Sequence, residues 1–336
     1  MEPLRLPPNQ LHRFYKGGAR IAALRSSGSD DEYAPEEWIA STASPFGEPG
    51  VGVSVLPDGT RLTDALSADP EPWFGRRHVD KFGPDVAVLI KLLDAGERLP
   101  VHFHPDDDFA RAHLDSIYGK TEAWIILEAA PGAAVHVGFK ETVGEQTVAS
   151  WLENQDAAAM LESLRPYLVS PGTTVFVPAG TPHAIGEGIL LTELQQPTDF
   201  SVLMEWDGFA IDGPNAGHLE LGFDLALQAL NRSGWSESDL EHATSGRDAD
   251  GRPGVETLFP PDADGFFRAE RIRPAPTELE SGFSVLLVVD GKAHARGDGW
   301  DMVLDRGDAV LVPYAAGGCV IDGNAEILRC MPPDAR

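Results

Sequence analysis

The stretch "LPVHFHPDDDFARAHLDSIYGKTEAW" (Leu99–Trp124) holds a His-x-His pair, an acidic run, and a lysine two residues before a glutamate. Side chains alternate faces along a β-strand, so His102 and His104 fall on one face, where two imidazoles can share a metal ion. Glu122 opens the next β-type run, "EAWIILEAA", and can add a carboxylate. A third imidazole, His183, follows the strand and turn "VPAGTPH" (Val177–His183). Three nitrogens and one carboxylate oxygen suit zinc, and also iron or manganese.

Working outward, short β-rich runs dominate: "VAVLIKLLDA" (Val86–Ala95), "AAVHVGFK" (Ala133–Lys140), "TTVFVPAG" (Thr173–Gly180) and "ILLTELQQ" (Ile189–Gln196). Turns rich in Gly, Pro and Asp separate them, the pattern of a sandwich or barrel. Two stretches carry helical spacing. One runs through Val148, Trp151, Leu152, Met160, Leu161 and Leu164; the other, "HLELGFDLALQALNRSGW", runs through Leu219, Phe223, Ala226, Leu227 and Leu230. The polar segment Ser236–Gly254 reads as a linker, after which β patterning returns and the Asp290–Gly291 step predicts a tight hairpin. "SPGTTVFVPAGTPHAIG" (Ser170–Gly186) is echoed by "DRGDAVLVPYAAGGCVIDG" (Asp305–Gly323) through the pattern Gly-x-x-Val-x-Val-Pro. Five residues past the proline stands His183 in the first copy and Gly318 in the second, so the second is expected to lack a ligand. The expected fold is mainly β: two jelly-roll barrels with helical insertions. Residues 1–235 form the metal-binding domain, 236–254 the linker, and 255–336 a barrel without metal ligands.

The chain has 336 residues, with 26 basic and 53 acidic side chains and a net charge of −27. Such a surface argues against nucleic acid and anionic membranes as partners and favours a small molecule. No apolar run approaches the roughly 20 residues of a membrane helix, and the N-terminal "MEPLRLPPNQLHRFY" lacks an apolar signal core. With only Cys319 and Cys330, no disulfide framework organises the fold, and a cytoplasmic location is expected. Asp106, Asp107 and Asp108 read as the start of a solvated helix, where acids favour the N-terminal dipole, rather than as a metal cluster. Trp124 and Trp206 read as core or pocket wall, and His113 and His136 have no evident partners.

The blocks "LIKLLDAGERLPVHFHPDDDFA", "GKTEAWIILEA", "VGFK" and "VPAGTPHAIGEGILLTELQQPTDFSVLMEWDGF", with "PEEWIAST" (Pro35–Thr42) before them, resemble the class I mannose-6-phosphate isomerases (phosphomannose isomerases) of the cupin superfamily. The resemblance covers most of the chain. It implies a zinc-dependent interconversion of mannose 6-phosphate and fructose 6-phosphate, with one zinc ion per chain on His102, His104, Glu122 and His183. It places the pocket lysines on Lys120 and Lys91, a glutamate on Glu193, and Gln195 and Asp199 after it. Glu193 is then the candidate base for moving a proton between C1 and C2, with Lys120 as proton shuttle or oxyanion partner. Lys91, Asp199 and Gln195 are candidate substrate contacts.

The chain departs from the family pattern three times. His102 stands where the family usually has Gln, Pro100 where it has a phosphate-associated serine, and Leu203 where it has an arginine. Proline offers neither hydroxyl nor N–H to an oxyanion, and no arginine lies between Arg165 and Arg232. The cations left for a phosphate are Lys91, Lys120, Arg111 and Lys140. Two alternatives therefore stand beside the isomerase reading. One is an isomerase of an unphosphorylated or modified sugar; the other is a metal-dependent cupin oxygenase or a sugar-binding cupin. Iron with oxygen uptake would mark the oxygenase. Nothing in the sequence specifies the sugar or an oligomeric state.

Overall fold

A computed structural model of the chain describes residues 1–247 and 251–335. Its strands lie in three sheets, with helices filling the connections, as expected for a mainly β chain with helical insertions. A six-stranded antiparallel sheet contains Glu36–Ile39, Leu89–Ala95, Ile189–Gln195, Glu122–Ala129 and Thr174–Val177 in spatial order, with Gln10–Leu11 at one edge. A five-stranded sheet holds Val202–Leu203, His102–Phe103, His183–Ile185, Ala134–Phe139 and Leu164–Leu168 in order. An eight-stranded sheet gathers the C-terminal strands around two long ones, Ser284–Gly297 and Cys319–Met331. Its edge strand, Leu4–Arg5, comes from the beginning of the chain and pairs with Val310 and Leu311.

Alternation within strands sorts the core into layers. In the six-stranded sheet Leu93, Trp124, Ile126, Val175, Val177 and Leu191 point one way and meet Val135, Val137 and Ile185 of the five-stranded sheet. Ile90, Leu92, Ala123, Ile125, Phe176 and Leu190 point the other way and meet Val285, Leu287, Leu311 and Leu328 of the C-terminal sheet. These strands are covered on both faces, which explains why they read as nearly continuous apolar runs. The outer face of the five-stranded sheet, with Phe103, Ala184 and Val202, is covered by Val148, Leu152 and Met160 of the first helical insertion and by Ala226 and Leu230 of the second.

Three sequence readings are corrected here. The first helical stretch is two helices, Glu145–Asn154 and Ala157–Ser163; Leu164 begins a strand, because Pro166 cannot extend a helix and the segment pairs instead with Ala134–Phe139. The second yields only a short helix, Phe223–Ala226, and a 3-10 turn, Leu227–Ala229. Asp290–Gly291 is not a hairpin. The strand Ser284–Gly297 runs through it with a bulge, and Gly291 sits at φ 72° so close to Asn324 O that a Cβ would lie 2.0 Å away. The hairpin falls at the next Asp-Gly step, Asp298–Gly299, where Gly297 pairs with Trp300. Within the polar segment 236–254, Ser236 caps a helix, Glu237–Ala243, through a capping box, and residues 248–250 lie outside the described residues.

Candidate metal centre and active site

The site lies between the two sheets of the sandwich. In the five-stranded sheet His102 and His183 are directly opposite one another, and Leu203 faces His102 from the other side. Their ring centroids are 4.1 Å apart, and His104 lies 5.0 and 4.9 Å from the two rings. Every imidazole is oriented by its own main chain. The Nδ1 atoms lie 2.8 Å from Pro100 O for His102, 2.7 Å from Phe200 O for His104, and 2.8 Å from Thr181 O for His183. A carbonyl only accepts, so each Nδ1 carries its proton and each Nε2 turns a lone pair inward. Burial, reinforced by neighbouring positive charge, pulls His102 well below the ordinary imidazole range and His104 to about 3, so both rings are neutral.

From the opposite sheet Glu122 reaches this cluster. Its Oε2 lies 3.0 Å from His104 Nε2 and its Oε1 3.2 Å from His183 Nε2. Donor atoms from the three histidines lie within 4.8 Å of one another, and His183 Nε2 is buried without a hydrogen-bond partner. Neutral imidazoles held by carbonyls, an orphaned buried nitrogen and an ionised carboxylate form a donor set that fits a divalent transition metal. Lys120 Nζ borders the set, 2.8 Å from His104 Nε2 and 2.8 Å from Glu122 Oε2. Its loop is held from the turn after the double Gln: Thr121 N–H donates to Gln196 Oε1, and Gln196 Nε2 donates to Asp107 Oδ1. Asp106 caps the helix Asp107–His113, so the acidic run builds a helix start.

Next to the donor set the six-stranded sheet presents a row of buried charges. Lys91 and Glu193 are cross-strand partners, and Trp38 stands opposite Lys91 on the other side. Lys91 Nζ lies 3.4 Å from Glu36, 3.5 Å from Glu193 and 3.8 Å from Asp199, and 5.0 Å from the Trp38 ring centroid. Burial opposes the charge on Lys91, but these carboxylates outweigh it and hold the ammonium firmly protonated. Glu36 is pushed up by burial and pulled further down by Arg13 and Lys91, so it stays ionised. Glu193 differs: burial, then the charge of Glu122, raise it above the usual carboxylate range. It is the carboxylate of the row best poised to take up a proton.

The structure thus brings His102, His104, Glu122, His183, Lys120, Lys91, Glu193 and Asp199 together. All but His104 and His183 line one tight cavity of about 50 Å³, along with Pro100 and Leu203. Gln195 is not in that wall. It is fully buried, and its amide donates to Thr198 O, fixing the turn that leads to Asp199. Arg111 pairs with Asp108 at the surface, and Lys140 donates to Glu162 O, so neither supplies a cation to the site.

Two wall residues escaped the sequence reading. Glu36 accepts from Tyr15 Oη at 2.5 Å and from Trp38 Nε1 at 2.7 Å. The alternation of Glu36 and Trp38 in "PEEWIAST" was a usable signal for it. Arg13 lies 2.9 Å from Asp199 and 3.3 Å from Glu36. It comes from a segment without periodicity, and nothing local marked it. Arg13, Phe14, Asp199, Ser201 and Leu203 also line an adjoining outer cavity of about 500 Å³. Arg13 therefore stands with Leu203 at the junction between the two.

The mannose-6-phosphate isomerase ManA of Bacillus subtilis is 27% identical over 283 residues, covering 82% of this chain and 84% of the relative. The mannose-6-phosphate isomerase of Streptococcus mutans is 34% identical over 202 residues, 59% of this chain and 58% of the relative. The chain is thus similar to mannose-6-phosphate isomerases over most of its length. No family model matches it. The crystal structure of the Bacillus subtilis mannose 6-phosphate isomerase shares the fold, with a TM-score of 0.78 at 22% identity over 98% of this chain and 99% of that one. The fold is also shared by the Salmonella typhimurium isomerase bound to fructose 6-phosphate and zinc, with a TM-score of 0.74 at 14% identity, covering 99% of this chain and all of that one.

Proposed function

We propose that this protein interconverts mannose 6-phosphate and fructose 6-phosphate with one divalent ion per chain, zinc before iron or manganese. The observation that carries this reading is the convergence of three backbone-oriented imidazoles and Glu122 beside the raised carboxyl of Glu193. When bound to His102, His104, Glu122 and His183, the ion would supply Lewis-acid polarisation of the sugar oxygens. The Glu193 carboxylate removes the proton from one carbon and returns it to its neighbour; among the described residues it makes no hydrogen bond that would tie up its lone pairs. Lys91 holds Glu193 in place from 3.5 Å. Lys120 Nζ donates toward the oxygen that gains negative charge as the enediol forms. Asp199 aligns Arg13, and Gln195 aligns Asp199 through the turn. Arg13 supplies the cation that Leu203 cannot, and the phosphate extends past it into the outer cavity.

A second reading, isomerisation of an unphosphorylated aldose, is favoured by one observation: Arg13 and Lys91 are already matched by Glu36, Glu193 and Asp199. The experiment is ketose formation from a panel of free and 6-phosphorylated aldoses by the zinc-loaded protein. Fructose 6-phosphate from mannose 6-phosphate, at a kcat/KM above that of free mannose, is the expected result. A higher kcat/KM for a free aldose would replace the first reading with the second, and oxygen uptake with iron would replace both. No helix among the described residues is long and apolar enough to cross a membrane. Both cysteines are free and buried, which suits a reducing compartment, and we place the enzyme in the cytoplasm.

A further inference from the structure

A second site can be read at the C-terminal sheet. The helices Glu71–Phe74 and Arg76–Phe82 meet the strands Arg268–Ile272 and Cys319–Met331 around a cavity of about 940 Å³, near the upper end of ligand-site volumes. It shares no wall residue with either cavity at the metal side. Six arginines line it: Arg76, Arg77, Arg247, Arg252, Arg268 and Arg329. With five carboxylates in the same wall, Asp80, Asp264, Glu270, Glu280 and Asp334, they leave a small excess of positive charge in a chain of net charge −27.

The wall carboxylates do not use up that charge. Asp264 is taken by Arg247, and Asp80 pairs with Arg76 out in solvent. Glu270 serves two arginines, Arg252 at 2.5 Å and Arg329 at 3.4 Å. Glu280, whose carbonyl accepts from Arg329, and Asp334 complete the acids of the wall. Arg268 donates to Pro332 O at 3.0 Å and has no carboxylate within ion-pair distance among the described residues. Arg329 is buried at 6% exposure, and its Nε has no hydrogen-bond partner. Arg77 is exposed, and no ion pair is formed by it among the described residues. Burial pulls the Arg268 guanidinium below its ordinary range, opposed most by the charge of Asp334 and less by Asp264 and Glu270, while Arg329 adds to the pull. The wall also carries aromatic rings: the buried Phe74 and Phe283, with ring centroids 4.8 Å apart, and the exposed ring of Tyr314.

We propose that this cavity binds a nucleoside diphosphate. Its phosphates would lie against Arg268, Arg329 and Arg77, whose planar forks match phosphate oxygens. Its base would lie against the face of Tyr314 and the Phe283 edge of the cavity. A bare phosphate or sugar phosphate would leave the aromatic wall without a partner.

The test is titration calorimetry and thermal shift of the metal-loaded, full-length protein with ADP and GDP, with inorganic pyrophosphate as competitor. Expected are a saturable rise in Tm and binding that weakens with salt. Arg268→Gln should weaken it about tenfold, as loss of one charge-assisted contact does, with isomerase turnover unchanged. Arg77→Gln, at an exposed position, gives the same reading should Arg268→Gln fail to fold. Absence of heat and of any Tm shift at millimolar ADP and GDP overturns the proposal, as does binding that both variants leave unchanged. Binding lost in Arg13→Gln instead would place the nucleotide in the sugar site and also overturn it, leaving the isomerase reading untouched.

Discussion

The same seven-residue pattern, Gly-x-x-Val-x-Val-Pro, occurs in both halves of the chain with opposite consequences. In the first copy Thr174–Val177 is an edge strand of the six-stranded sheet, and after Pro178 the chain crosses to the facing sheet, where His183 pairs with His102. In the second copy Ala309–Val312 lies between Leu4–Arg5 and Ser284–Gly297, and after Pro313 the chain makes a 3-10 turn and returns to the same sheet as Cys319–Met331. Gly318 occupies the position of His183, but a Cβ there would lie 2.9 Å from Leu279 O. At this position the backbone leaves no room for a side chain without a shift. The pattern encodes a strand and its exit, and the chemistry depends on which sheet the exit reaches.

The largest expected effect comes from removing the feature that distinguishes the two halves. His183→Ala should lower zinc affinity at least about 100-fold, read by metal analysis after dialysis with folding checked by circular dichroism. Full metal occupancy in that variant would take His183 out of the donor set and erase the contrast. Glu193→Gln should keep its metal while kcat falls about 10²- to 10⁴-fold, the range for a lost general base. The raised carboxyl of Glu193 also sets a sign. The base works only when ionised, so kcat/KM should rise with pH through a value above the ordinary 4.5, with metal content constant across that limb. An acid limb that tracks loss of metal would assign it to the ligands instead.

A smaller effect tests the junction. Arg13→Gln should raise KM for mannose 6-phosphate about tenfold or more and leave free mannose nearly unaffected. Equal losses for both sugars would make Arg13 a structural partner of Glu36 and Asp199. The smallest effects belong to the C-terminal copy. Gly318→Ala should cost about 1–3 kcal/mol by overpacking, measured by urea denaturation, with no gain of metal. Cys319→Ser should leave turnover nearly intact; a large loss in stable, metal-loaded protein would show that this half does more than pack.

The donor set was legible because its determinants are local. Period-two alternation put His102 and His104 on one face, and the turn after Pro178 delivered His183. The mainly β character followed equally from short apolar runs between turns. The helical insertions were less secure: helical spacing through Leu164 hid a strand, since pairing with Ala134–Phe139 overrode a local preference. The hairpin at Asp290–Gly291 was misplaced by one Asp-Gly step for the same reason, because a bulge and a turn use the same glycine geometry and only the partner strand selects between them.

Residue identity and spacing by themselves determined which side chains could bind a metal and that the chain is built of strands. Tertiary structure alone decided what surrounds that metal. Glu36 meets Lys91 through pairing of strands some fifty residues apart, and Arg13 meets Asp199 across 186 residues. Burial then separates the carboxylates, leaving Glu36 ionised between two cations and raising Glu193 beside Glu122. A charge's partners and its desolvation are set by which sheets face each other, and that is a property of the packed core, which no local period in the sequence records.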